Sequence, residues 1–187
     1  MAPPAPSGRH IPGFSAPAVG FEQPFAMLEA CHERVQRSLA LLGRLRAHVR
    51  LQGADESARQ AARDVLRYFD IAAPLHHEDE ELHVFPLLLA QAEPGVQALV
   101  RSLQDDHVRM VADWAAARVA LQALAQGVIQ GFAESQEVLL DRFSDRYADH
   151  IRQEEQAAYP AALHLLEPAA LDRMGREMAV RRGATRD

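Results

Sequence analysis

One pattern occurs twice in this chain of 187 residues, and it restricts the fold more than any other feature. His76-x-x-x-Glu80 is followed by Phe85-Pro86, and His150-x-x-x-Glu154 is followed by Tyr159-Pro160 at the same offset. A lone histidine precedes each copy at nearly equal distance: His32 stands 44 residues before His76, and His107 stands 43 before His150. On a helix, residues i and i+4 share a face, so each His/Glu pair points one way. Four imidazoles and two carboxylates are a complete ligand set for two transition-metal ions. The interior of a helical bundle is where such side chains converge from separate segments.

The rest of the chain agrees with a bundle. Hydrophobic residues make up 48%, with Ala and Leu prominent, which favours helix. Pro24 suits a first helical position, and Gly53 with Asp55 marks a turn and a cap. A second helix is expected from about Glu56 to Ala90, with a kink or restart at Pro74 and a disturbed last turn at Pro86. Glu93-Pro94-Gly95 breaks the chain, a third helix runs from about Val96 to Gln126, and a fourth from about Ala133 to Leu166. A short amphipathic helix follows over Ala169 to Val180. The expected fold is all-α: an antiparallel up-down four-helix bundle over 21–187 with a short C-terminal helix. A flexible Pro-rich N-terminal tail over 1–20 precedes it. In that topology His32, His76, Glu80, His107, His150 and Glu154 all fall roughly 12–24 Å from one end of the bundle, at a rise of about 1.5 Å per residue.

Composition excludes several functions. The net charge of −6 argues against nucleic-acid binding. All 20 basic residues are arginine, which rules out a Schiff-base lysine. The single cysteine, Cys31, excludes an internal disulfide and a cysteine-only metal site. No apolar run approaches a membrane span and no signal peptide is visible, so a cytoplasmic monomer or small homo-oligomer is expected.

One His-x-x-x-Glu alone is usually a surface pair worth about 0.2–0.5 kcal/mol. The second copy in matching context turns coincidence into a site. His77 and Glu81 form a competing pair. His76 and Glu80 are preferred because only they align with the second copy, which leaves His77 as a rim or supporting residue. For His83, a site contact and a packing role both stay open. His10, His48 and His164 read as tail or surface histidines. Glu78, Asp79, Asp105, Asp106 and Glu155 read as an acidic rim, one of which could orient an imidazole. Phe69 and Phe143, at equal offsets before His76 and His150, read as core beneath the site. A ferritin-like arrangement fits poorly, because its Glu-x-x-His spacings fall on consecutive helices.

The run His76-His77-Glu78-Asp79-Glu80-Glu81 ending in Phe85-Pro86 resembles the signature of the hemerythrin-like, or HHE cation-binding, family. So does Asp149-His150-Ile151 through Glu154-Glu155 to Tyr159-Pro160. The resemblance covers about 24–166 and implies a four-helix bundle around two iron ions bridged by oxo or hydroxo; manganese or zinc would also suit the donors. It implies His32, His76, His107 and His150 as terminal ligands, with Glu80 and Glu154 as bridges. Oxygen-carrying members have a further histidine where this chain has Val111, and a His-x-x-x-x-Asp in the fourth helix. The chain is therefore more similar to the bacterial branch with four histidines and two glutamates. The implied ligands are dioxygen, nitric oxide or peroxide, in sensing, storage or detoxification. The alternative implied is an enzyme of iron-centre repair or peroxide reduction.

Overall fold

The computed structural model describes residues 19–184. Residues 1–18, most of the expected tail and including His10, lie outside the described residues. Helix α1 spans Pro24–Gln52. Gly53 ends it at φ 77°, a left-handed conformation that suits glycine. Asp55 then caps the next helix, its Oδ1 accepting from the Ala58 N–H at 2.8 Å. Helix α2 covers 56–91, α3 spans Pro94–Ala125, α4 covers 134–165 and α5 spans Pro168–Arg181. Helix α2 packs on α1 and α3, α3 on α4, and α5 closes against α1 and α2. No strand occurs among the described residues.

Helices α2 and α4 run on through their internal prolines. Each is absorbed by one π-helical turn: Tyr68–Ala72, Glu80–Val84 and Glu154–Ala158. In every case the residue just before the proline donates to a carbonyl five residues back: Ala73 to Tyr68, Phe85 to Glu80, and Tyr159 to Glu154. Proline lacks an N–H and its ring clashes with the carbonyl four residues earlier. Widening the turn by one residue relieves that clash and lets the helix continue. Two of the three wide turns begin at Glu80 and Glu154, the carboxylates of the doubled motif.

The apolar core is divided in two. One part, with Leu42, Phe69, Leu121, Leu140 and Phe143, lies on one side of the motif histidines. Phe69 and Phe143 meet edge to face with centroids 4.9 Å apart, as their matched positions predict. The other part joins Phe25, Leu28, Phe85, Leu88 and Tyr159 to Met174 and Met178 of α5. Helix α5 docks closely enough that a Cβ on Gly175 would lie 2.0 Å from the Phe21 carbonyl oxygen. A polar layer of histidine and glutamate separates the two apolar masses.

Candidate metal centre

Helix α1 contributes His32 to this layer, α2 contributes His76, His77 and Glu80, α3 contributes His107, and α4 contributes His150 and Glu154. All six residues expected from the sequence are buried, with Glu80 and Glu154 fully so. Together with His77 they fall into two groups, and within each group the potential ligand atoms lie within 4.8 Å of one another. One group is His32, His76, Glu80 and Glu154; the other is His77, His107 and His150.

The carboxylates join the groups. Glu80 faces His76 Nε2 from Oε1 and His107 Nε2 from Oε2, both at 3.5 Å. Glu154 faces His32 Nε2 from Oε2 at 3.1 Å and His150 Nε2 from Oε1 at 2.9 Å. The Nε2 atoms of His107 and His150 are 3.2 Å apart. Yet Glu80 Oε2 and both oxygens of Glu154 receive no hydrogen bond of sound geometry. Buried oxygens that face imidazole nitrogens without a donor are what a cation between them would satisfy, so the residues present fit a metal pair. The donors are nitrogen and oxygen without thiolate, a set that suits iron or manganese.

The outer nitrogens of His32 and His107 are held as a metal site requires, while Nδ1 of His76 and of His150 is buried without a hydrogen bond. His32 Nδ1 lies 2.8 Å from Glu155 Oε1, and His107 Nδ1 lies 2.9 Å from Glu81 Oε1. Gln104 donates to the other Glu81 oxygen at 2.6 Å. Glu81 and Glu155 occupy equal places in the two motif copies, one residue after Glu80 and Glu154. Each orients the lone histidine of another helix and leaves its Nε2 pointing inward. Glu155 thus plays the orienting role left open to one acidic residue, and Glu81 does the same without being a ligand.

One expectation changes and two open readings close. Of the rim and supporting roles left to His77, its ring stacked on His107 with centroids 4.0 Å apart and planes at 17° fits the supporting one. Asp79 is no part of a solvated rim. It is fully buried, with Nη2 of Arg181, the last residue of α5, and Nη2 of Arg182, which follows it, each 2.6 Å from its oxygens. His83 turns away from the centre, its Nε2 lying 2.8 Å from Arg181 Nη2 and 3.4 Å from Glu177. His48 pairs with Asp55 at 3.0 Å and His164 is exposed, both as expected.

The two halves of the centre are similar but not equal. Phe85 stacks on His107 at 5.4 Å, and Tyr159 stacks on His32 at 5.6 Å. The Tyr159 hydroxyl donates to Glu80 and lies 3.2 Å from His32 Nε2. One half therefore has a phenol where the other has a bare ring. The other half has His77 where the motif alignment gives Ile151.

Charge is distributed unevenly. Burial, and then the neighbouring Glu154, raise the Glu80 carboxyl well above the usual range. Burial pushes Glu154 the same way, but contacts from His107, His150 and His32 outweigh it and hold that carboxyl well below its ordinary value. Burial and nearby imidazoles keep His76 and His77 well below the ordinary imidazole value. His32 is raised: burial opposes this, but Glu154 and Glu155 prevail.

The model of the hemerythrin HHE cation-binding domain matches residues 23–162. This chain belongs to the hemerythrin family. Its four long helices and buried His/Glu layer are those of a metal-cation-binding bundle of that family. An uncharacterized protein of Haemophilus influenzae is 33% identical over 162 residues, which cover 87% of this chain and 91% of that one. Among the described residues, no helix is long and apolar enough to cross a membrane.

Proposed function

We propose that the bundle holds a non-haem di-iron centre that binds or reacts with dioxygen, nitric oxide or peroxide. The observation that carries this reading is the placement of Glu80 and Glu154, each of which faces imidazoles of both histidine groups. His32 and His76 would hold one ion, His107 and His150 the other, with His77 beside the second, and the two glutamates would lie between them. When bound, such a pair supplies two electrons and an open position for a small oxidant or gas.

The chain's own residues prepare that chemistry. Glu155 and Glu81 fix two imidazoles and raise their basicity. The apolar masses on both sides lower the local dielectric and strengthen every charge interaction within. Tyr159 holds a proton against Glu80, and that carboxyl must release its own proton for a cation to bind. Manganese or zinc would suit the same donors less selectively.

Metal analysis of protein purified without air tests the reading, with the visible spectrum followed as dioxygen, nitric oxide and peroxide are added. The expected result is about two irons per chain and a spectrum that responds to at least one of the three. Less than one metal per chain, or unchanged metal content in a Glu80→Ala, Glu154→Ala double variant, would refute it. Reversible spectra favour sensing or storage. Irreversible oxidation with turnover favours peroxide reduction.

A further inference from the structure

A cavity of about 360 Å³ opens beside the second histidine group. Phe69, Ala73, Met110, Val111, Trp114 and Tyr147 line it. His77 and His107 line it too, so it is continuous with the centre. Val108 and Val111, 71% and 66% exposed, mark its solvent side, while Phe69, Ala73, Met110 and Tyr147 are buried. It therefore leads from solvent to two of the clustered imidazoles.

Its size and lining restrict the occupant. A water-sized molecule takes roughly 30 Å³ of liquid volume, whereas sites for small organic ligands start near 300 Å³. Dioxygen, nitric oxide or hydrogen peroxide would leave most of this space unfilled. The walls offer few hydrogen bonds: the Trp114 indole N–H is already donated to Asp70 at 3.0 Å. A sugar or nucleotide would lose more hydrogen bonds to water than this lining returns. Glu78 and Glu81 also line the space and disfavour a carboxylate or phosphate. What remains is a neutral molecule with an apolar body and one small polar end.

We propose that this cavity binds an organic hydroperoxide, its alkyl or aryl body against the apolar walls and its –O–OH end at His77 and His107. The proposal rests on the di-iron reading and names the class of peroxide. Reduction breaks the O–O bond, takes up two electrons and two protons, and leaves an alcohol and water. The electrons would come from the reduced metal pair of the proposed centre, one per ion, and the protons from solvent.

Trp114 is the only tryptophan in the chain, so its fluorescence reports the cavity even without metal. Cumyl alcohol, the unreactive product of cumene hydroperoxide, is titrated into metal-free protein. A saturable fluorescence change is expected, weakened about ten-fold or more by Ala73→Leu and by Val111→Phe. Val111 is exposed, so its variant keeps the fold if Ala73→Leu does not. In the second arm, anaerobically reduced iron-loaded protein is mixed with cumene hydroperoxide or hydrogen peroxide. The variants should slow oxidation by the first about ten-fold and leave the second within about two-fold. No saturable change with the alcohol, or one that persists in both variants, overturns the proposal. Oxidation by hydrogen peroxide without alcohol binding overturns it alone. Alcohol binding without oxidation by either peroxide overturns the di-iron reading with it.

Discussion

Removing metal should destabilise this bundle by an amount that its buried carboxylates set. Glu80 Oε2 and the two oxygens of Glu154 are buried and receive no hydrogen bond of sound geometry. An unsatisfied buried acceptor costs about 1–3 kcal/mol, so the three together cost about 3–9 kcal/mol. A cation pair would recover that cost. Mass action gives a consistent figure: at a hundred times Kd each site adds about 2.7 kcal/mol, or about 5.4 kcal/mol for two. For a chain of this size 1 kcal/mol moves Tm by about 2–4 °C, so metal should raise Tm by about 6–36 °C. Circular-dichroism melting under nitrogen, with chelator or with excess ferrous ion, measures the difference. A Glu80→Gln, Glu154→Gln double variant should melt at nearly the same temperature in both conditions. Equal Tm values for the wild type with and without metal would refute the reasoning. So would an undiminished rise in the double variant, which would mean that the metal binds elsewhere.

Three further outcomes follow from particular contacts. His77→Ala should weaken retention of the second metal by at least the roughly 10–100-fold seen when a supporting partner of a ligand is lost. His83→Ala should leave retention unchanged, and plasma emission analysis after dialysis decides between them. Asp79→Ala leaves two arginines at the end of α5, Arg181 and Arg182, without their buried partner and should cost about 3–5 kcal/mol in urea unfolding, whereas a loss below about 1 kcal/mol would mean that α5 docks through its methionines alone. The metal-free protein should lose stability on acidification from 6.5 toward 4.5, the ordinary His and Glu values. There the unfolded forms of His76 and His77 take up two protons that the fold refuses, and Glu80, already protonated in the fold, offsets about one. The net slope is about 1.4 kcal/mol per pH unit. His32, raised in the fold, adds stability that fades above 6.5 and has the opposite sign. Urea titrations across this range that show no slope, or a rising one, would contradict the assignment.

Much of this molecule can be read from spacing. Helix ends lie within about two residues of the positions marked by Pro24, Gly53, Pro94 and Pro168, because these residues act through local backbone sterics. The convergence of His32, His76, Glu80, His107, His150 and Glu154 could be read because helical rise and up-down topology fix their level. The roles of Glu81 and Glu155 left a trace as well, since both follow the motif glutamate directly; the doubled alignment contained that signal.

What spacing could not decide depended on the third dimension. By spacing His83 returns to the His76 face and His77 does not, yet the α2 geometry turns His77 toward His107 and His83 toward Arg181 of α5. Asp79 looks solvated in a run of acids, until α5 folds back and buries it between two arginines. The sequence by itself determined which side chains share a helix face and at what height they stand, because both follow from fixed backbone geometry. Tertiary structure decided which neighbouring helix each remaining side chain meets, and hence that one half of the centre has a phenol, the other a third imidazole, and that an apolar cavity opens beside the latter.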